Sequence, residues 1–177
     1  MDIQNRMPTF VYEEDLLLTD VFLLSDERLV GFLSSSAGYG DLRVINRETK
    51  SVSIILSGRD LSGGLPMSVR NVEADHDSPT RLLFQVSRQM AAGDPTLKQE
   101  AYVMEIDCVS EVCIKTSLSR LDWINDGAHS LSWSSGSSVF DVYNAPDESS
   151  GYLIIRDIDG NQMRSVLPAG VVTPGSW

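Results

Sequence analysis

The 177-residue sequence predicts an all-β fold built from repeated four-stranded units, and three observations support it. Short runs of alternating or β-branched residues are separated by turn clusters throughout the chain. Helical spacing is weak everywhere, and even the best helical candidate, LKQEAYVMEI (97–106), carries residues that suit a pleated surface. The same order of turns and strands recurs at intervals of about 50 residues. We therefore expect almost no helix.

Composition limits the function classes. A hydrophobic content of 42% is enough for a core, so disorder is not expected. The 14 basic and 25 acidic residues give a net charge of -11, which opposes binding to a phosphate backbone, and we expect no nucleic-acid partner. No apolar run reaches the length of about 18 residues that a membrane span needs. The N-terminus shows no leader pattern, and the compartment stays open.

The predicted strands are short and follow one another closely. In chain order they are DVFLL, RLVGFLS, DLRVINR, SVSIIL, RLLFQVS, EAYVMEI, VCIKT, SLSWSS, YLIIRDI and MRSVL. Three windows repeat the order strand, polar loop, strand, tight turn, strand, and a further strand precedes each window, as TDVFLL, MSVRNVEA and SRLDWI (119–124). Each unit then has four strands.

The repeat is sharpest in the third strand of each unit. Residues 41–48 align with 100–107 and with 152–159, which gives Val44, Val103 and Ile155 one common position. Four-stranded units repeated at about 50 residues are typical of β-propeller blades. The predicted boundaries are about 15–57 for blade one, 67–119 for blade two and 120–168 for blade three, with 169–177 as the start of a further blade or a tail.

Two motifs resemble those of a known repeat family. WINDGAHSLSW (123–133) resembles the W-S-P-D-G-x-x-[IL]-x-[FW]-x-S segment of TolB-like, or WD40-like, β-propeller repeats, and YLIIRDIDG (152–160) resembles their third strand and turn. The resemblance covers roughly residues 15–168, although blade one has Thr49 where blade three has Gly160. It implies that Asp126-Gly127 forms the tight turn between the first and second strands of a blade, where Gly tolerates positive φ. It also implies an extracytoplasmic bacterial setting.

Three blades do not close a ring, because propellers use four to eight. Three explanations are open. The chain is a segment of a longer propeller, or two copies form a six-bladed ring like that of TolB, or a partner chain supplies the missing blades.

Two cysteines, Cys108 and Cys113, lie close together in MEIDCVSEVCIK. If residues 109–111 form a hairpin turn, the two thiols can face each other at disulfide spacing. The alternatives are two inert thiols or a structural disulfide. A redox pair or a zinc site lacks the required spacing or ligands.

The sequence offers little for catalysis. His76 and His129 have no ligand at metal-binding spacing, so we expect solvated or capping roles. No G-x-S-x-G motif occurs, and the glycine-rich stretch 57–66 lacks a phosphate-binding motif and precedes no predicted helix, which indicates a connector between blades. DIDGN (157–161) lacks the glutamate of a calcium loop. We expect no cofactor and no metal.

Binding is the preferred function class, since function on β scaffolds usually lies in loops. The loops that join second to third strands, and one blade to the next, are expected at 37–40, 89–99, 144–151 and 58–66. The candidate binding residues in or beside these loops are Tyr39, Asp41, Lys98, Tyr143, Asp147 and Glu148. Trp123 and Trp133 are expected in the core, with Trp133 equivalent to Phe32.

The sequence thus predicts a non-catalytic scaffold for protein or peptide binding. The alternative is the gating domain of a larger serine peptidase of the prolyl oligopeptidase type, because propellers similar to this one serve in those enzymes. In that case the catalytic triad would lie in a separate hydrolase domain.

Overall fold

In the computed structural model, the described residues form twelve β-strands arranged in three four-stranded antiparallel sheets. The structure describes residues 17–24, 29–36, 39–109, 112–124, 128–134, 137–144 and 151–169. Helix is confined, within these ranges, to one five-residue segment. The all-β prediction is confirmed. In the same residues, no helix is long and apolar enough to cross a bilayer.

Strands are neighbours in each sheet in the order in which they occur in the chain. The first sheet contains β1 (Leu17–Leu23), β2 (Leu29–Ser36), β3 (Tyr39–Asn46) and β4 (Val52–Leu56). The middle sheet contains β5 (Met67–Ala74), β6 (Arg81–Gln89), β7 (Leu97–Val109) and β8 (Val112–Arg120). The third sheet contains β9 (Ala128–Trp133), β10 (Ser138–Asn144), β11 (Gly151–Asp157) and β12 (Gln162–Ala169).

The connector between the first two sheets contains the helix α1 (Gly58–Ser62), where the sequence predicted none. The Ser57 side chain accepts a hydrogen bond from the backbone N–H of Asp60, which caps the first turn. Gly63 ends the helix with φ 64°, a conformation that glycine adopts without steric cost. The capping residues were visible in the sequence, but the helix is too short to show periodicity.

The third sheet begins later than the sequence predicted. Residues 119–124 were expected as its first strand, but Ser119 and Arg120 end β8 in the middle sheet, and 121–124 form a turn segment. The first strand is instead β9, and the second is β10, which was not among the predicted strands. Trp133 therefore lies on a first strand and Phe32 on a second strand, so the expected equivalence of the two is wrong. Asp126-Gly127 lies outside the described residues.

The middle sheet packs on both faces. Six consecutive residues of β6, 82–87, are buried, although a strand with one solvent face would alternate. One cluster contains Leu82, Phe84 and Val86 together with Leu42 and Val44 of the first sheet. A second contains Leu83, Ala101 and Val103 together with Leu131, Trp133 and Val139 of the third sheet. From sheet to sheet, β1 contacts β5 and β5 contacts β9, and β4 contacts β8.

Side chains of the middle sheet hold the free edge of β9. The buried Gln85 donates from Nε2 to the carbonyl of His129 at 2.9 Å and accepts at Oε1 from the N–H of Leu131 at 3.2 Å. Glu73 Oε2 accepts from the N–H of Trp133 at 3.0 Å. Since no described strand pairs with β9 on this side, these side chains satisfy backbone groups that would otherwise be buried without hydrogen bonds.

The two cysteines form a disulfide across the β7–β8 hairpin, with 4.1 Å between their Cα atoms. Cys108 pairs with Cys113 and Val109 pairs with Val112, so Val109 belongs to a strand and not to the expected turn. The cross-link lies near the tip of the hairpin, where the β7 strand extends beyond its pairing with β6.

Replacement of Gln85 tests whether its hydrogen bonds to the backbone of β9 stabilise the fold. Gln85→Leu should lower the free energy of unfolding by roughly 2 to 4 kcal/mol, because the buried His129 carbonyl and Leu131 N–H lose their partner. Urea denaturation would measure the change. The matched control is Gln99→Leu, on the neighbouring strand, where the amide oxygen has no hydrogen-bond partner among the described residues. An equal loss in both variants would contradict the role given to Gln85.

Candidate functional site

The three sheets present equivalent faces in one direction. Val44 packs in the core between the first and middle sheets, and Val103 packs in the core between the middle and third sheets. Ile155, which the sequence aligned with both, lies opposite Phe140 on the face of the third sheet that points away from the middle sheet. No further sheet covers that face within the described part of the chain. We call it the open face.

A cleft of about 680 Å3 lies where the open face meets β5 of the middle sheet. Its lining residues are Asn71, Val72, Glu73, Ser130, Leu131, Ser132, Phe140, Val142 and Leu153. Two rows of paired residues cross the third sheet here, one through Ser130, Val142 and Leu153 and one through Ser132 and Phe140. Side chains of paired residues share one face, so both rows point into the cleft.

A bulge in β5 builds the other wall. The register shifts between Arg70 and Glu73, and Asn71 has φ 53°, an uncommon conformation that asparagine tolerates better than most residues. Ser132 Oγ donates to Glu73 Oε2 at 2.8 Å, which fixes this wall against the third sheet. Asn71 Nδ2 donates to Gln85 Oε1 at 2.7 Å. The hydrogen bonds that hold β9 therefore also set the shape of the cleft.

The cleft can bind apolar side chains, but its lining offers no acid–base pair. Glu73 is the single titratable residue among the lining residues, and its Oε2 already accepts two hydrogen bonds. Neither serine in the lining has a histidine beside it among the lining residues, so neither has the base that a nucleophile requires.

The opposite face of the third sheet holds a buried charged network. His129 Nδ1 lies 2.8 Å from Asp141 Oδ1, and Arg156 Nε donates to Asp141 Oδ2 at 2.8 Å. The ring of Tyr143 stacks on His129 with 4.6 Å between centroids, and the Trp123 ring meets it edge-on at 6.1 Å. The expected solvated or capping role of His129 is wrong, because antiparallel pairing brings Asp141 beside it from the next strand. His76 is exposed.

The centre of this network is closed to solvent. The Asp141 side chain is 0% exposed and that of His129 is 4% exposed. His129 Nε2 is buried without a hydrogen-bond partner in the described structure. The network joins β9, β10 and β11 on the side that packs toward the middle sheet.

A second buried charge lies in the middle sheet at Glu100, which is 2% exposed. Arg88 donates to both of its oxygens, at 2.8 and 3.0 Å, and the Tyr102 hydroxyl donates at 2.7 Å. Burial on its own would raise the pKa of Glu100, but the hydrogen bonds from Arg88 and Tyr102 and the charges of Arg88 and Arg120 outweigh it, and the pKa is lowered. Burial, followed by the bond to Glu100, raises the pKa of Tyr102 to about 12.

The predicted binding residues are spread over three sheets. Tyr39 begins β3, Lys98 lies near the start of β7, and Tyr143 lies near the end of β10. Asp41 accepts a hydrogen bond from the N–H of Gly58 at 2.9 Å and so fixes the start of α1. In the described residues, no hydrogen bond or ion pair joins Asp41, Lys98 and Tyr143 to one another. Asp147 and Glu148 lie outside the described residues.

The tryptophans behave largely as expected. Trp133 is 4% exposed and belongs to the core between the middle and third sheets. Trp123 is partly buried and packs against the same core, with its Nε1 donating to the carbonyl of Ile158 at 3.1 Å. Its ring lies against Gly160, where an added Cβ would meet it at 2.3 Å, so this turn accepts no larger residue without a shift of the ring.

Sequence reasoning missed the residues that line the cleft. The alternation in SVFDVYN (138–144) was a usable signal for Phe140 and Val142, but the serines before it suggested a loop. The part played by Glu73 and Gln85 depends on contacts between sheets and has no local signal.

Comparisons of the chain with protein-family models, with curated proteins and with solved structures give no match. Among the described residues, no group of three histidine, cysteine, aspartate or glutamate side chains is arranged to hold a metal ion.

The buried glutamate predicts a specific pH dependence. Because the folded-state pKa of Glu100 is lowered, its contribution to stability is present above the ordinary carboxyl pKa of 4.5 and is lost as the pH falls through the folded-state value. Glu100→Gln should therefore be less stable than the wild type at pH 7, by roughly 3 kcal/mol, with a difference that shrinks in acid. Chemical denaturation at a series of pH values measures it.

The control for this measurement is Glu105→Gln, because Glu105 lies on the same strand and is exposed. That variant should differ little from the wild type at any pH. A difference for Glu100→Gln that stays constant between pH 7 and pH 3 would contradict the assignment.

Proposed function

We propose that this chain is a non-catalytic scaffold of propeller type that binds a protein or peptide, with the cleft on the open face of the third sheet as its binding surface. The observation that carries the proposal is the cleft itself, in which Val72, Phe140 and Leu153 surround a volume of about 680 Å3. Apolar clefts with a few polar groups are the usual form of a binding site.

The three sheets support the propeller interpretation. Each is a four-stranded meander, and the first strands contact one another from sheet to sheet, β1 with β5 and β5 with β9. In that interpretation the chain contributes three consecutive blades. The open face is then the one on which a further blade would pack.

The expected ligand is a polypeptide because the equivalent face of the middle sheet already binds one. There, Leu83, Ala101 and Val103 pack against the strands of the third sheet. On the open face, residues of the corresponding second and third strands of the third sheet, including Phe140 and Leu153, line the cleft. An extended segment with apolar side chains at every second position would place them along the two rows of this surface.

The loop residues form a second part of the proposal. Tyr39, Asp41, Lys98 and Tyr143 lie at the end of the sheets where second strands lead into third strands, and binding there, with Asp147 and Glu148, stays a prediction. The cleft is favoured because it combines volume with apolar lining.

Selection of peptides on the purified protein tests the proposal. A random peptide library should yield peptides with alternating apolar residues. Phe140→Ala and Ser130→Arg should each weaken the affinity of a selected peptide at least about tenfold, measured by fluorescence anisotropy. Thermal unfolding shows whether each variant is folded.

The matched control is Ile114→Ala, which removes an apolar side chain that is 56% exposed on β8, outside the cleft. Its affinity should equal that of the wild type. If selected peptides bind equally well to the wild type and to both cleft variants, the cleft is not the binding surface.

A further inference from the structure

The wall of the cleft that β5 builds presents one carboxylate oxygen without a partner. Both hydrogen bonds to the Glu73 carboxylate end on Oε2, from Ser132 Oγ at 2.8 Å and from the N–H of Trp133 at 3.0 Å. Oε1 has no hydrogen-bond partner among the described residues, and Glu73 is half-buried in the lining of the cleft. The carboxylate is therefore fixed through one oxygen and available to a ligand through the other.

No cation pairs with this carboxylate in the described part of the chain. The lining of the cleft contains no lysine, arginine or histidine. On β6, the guanidinium of Arg81 lies 5.1 Å from the centre of the Trp133 ring, with its Nη1 3.9 Å from Asp75 Oδ2. Arg70, which precedes the bulge, is exposed, and no ion pair joins it to Glu73 in the described structure. The cleft thus holds a negative charge that is partly removed from water and unpaired.

Asn71 adds a second acceptor to the same wall. Its Nδ2 donates to Gln85 Oε1 at 2.7 Å, and this orientation is determined because Gln85 Oε1 also accepts from the N–H of Leu131 at 3.2 Å. Only the N–H side of the Asn71 amide can face that oxygen, so the Oδ1 atom points elsewhere and has no partner among the described residues. Charged and neutral acceptor oxygens therefore accompany each other on β5.

The carboxylate lies at one end of the apolar surface. Ser132 bonds to Glu73 and pairs with Phe140 on the next strand, so the order across the cleft is Glu73, Ser132, Phe140. Neighbouring strands lie about 4.8 Å apart, which places the start of the apolar surface one strand beyond Ser132. A ligand that satisfies both parts of the cleft needs a hydrogen-bond donor at one end of an apolar stretch.

We propose that the cleft recognises an extended polypeptide segment in which a lysine or arginine side chain binds Glu73 Oε1 and the adjoining alternating apolar residues contact Phe140 and Leu153. This inference rests on the proposed function and adds the charge that the peptide must carry. A basic side chain supplies a charge-assisted hydrogen bond, which is stronger than a neutral one. The net charge of -11 favours the approach of a basic segment. An acidic residue at this position would place two unpaired carboxylates side by side, so acidic segments are rejected.

A double-mutant cycle between protein and peptide tests the inference. The probes are a peptide selected on the wild type and the same peptide with its basic residue made neutral, as citrulline for arginine or norleucine for lysine. Glu73→Gln removes the charge and keeps an oxygen for Ser132 and Trp133. Either change alone should weaken the affinity about tenfold, and both together should weaken it no further, as measured by fluorescence anisotropy.

The matched control is Glu105→Gln, which removes the same charge from an exposed position on β7 outside the cleft lining. Its affinity for the basic peptide should equal that of the wild type, which separates a contact with Glu73 from the effect of net charge. Should Glu73→Gln fail to fold, the wild type alone provides the test. Its affinity for the basic peptide should fall as salt is raised, and its affinity for the neutral peptide should not.

The possible results separate this inference from the proposed function. Selected peptides that bind Phe140→Ala weakly but carry no basic residue overturn this inference and leave the proposed function standing. The same conclusion follows if the two losses in the cycle add, if Glu105→Gln weakens binding as much as Glu73→Gln, or if salt affects both peptides equally. A library that yields no peptide for the cleft overturns both.

Discussion

Burial of the middle sheet between two others is the constraint on which the rest of the structure depends. A four-stranded sheet exposed on one side can alternate polar and apolar residues, but this one cannot, because residues 82–87 are buried without interruption. The apolar residues of β6 supply both cores at once, with Phe84 toward the first sheet and Leu83 toward the third. Loss of either neighbouring sheet would expose one of these faces to water.

The two contacts of the middle sheet differ in chemistry. Toward the first sheet the contact is mainly an apolar core that includes Phe22 and Leu42, together with a hydrogen bond from the N–H of Cys113 to Ser53 Oγ. Toward the third sheet it also contains Gln85 and Glu73, which bond to the backbone of β9 at fixed points. Apolar packing tolerates small shifts, whereas a slip of β9 by one residue would break every one of these hydrogen bonds. The third sheet is therefore held both by buried apolar area and by hydrogen bonds at fixed positions. These hydrogen bonds also set the shape of the cleft.

The sequence predicted the class of fold and the third strand of each sheet because these depend on local alternation. The aligned residues Asp41, Glu100 and Tyr152 do fall within equivalent strands, and Val44 and Val103 face the same direction. The first strand of the third sheet was predicted too early in the chain, because SRLDWI (119–124) has a strand-like local pattern. In the structure, Arg120 pairs with Tyr102 as part of β8. Neighbouring segments compete to pair with the same strand, and contacts between residues distant in sequence decide which segment pairs.

The site was less predictable than the fold for the same reason. His129 acquires Asp141 from across a strand pair, and Gln85 acts on β9 from a different sheet.

The disulfide has a consequence of a different kind. Cys108 and Cys113 enclose a loop so short that the cross-link contributes only about 2 kcal/mol, and the residues it restrains lie in one hairpin. Cys113 also belongs to the core between the first and middle sheets, and its N–H donates to Ser53 Oγ of the first sheet at 3.2 Å. A thiol reagent that opens this bond should therefore loosen the hairpin around Val109 and Val112 and also the adjacent contact between β8 and β4, so the redox state of the surroundings would reach the boundary between the first two sheets.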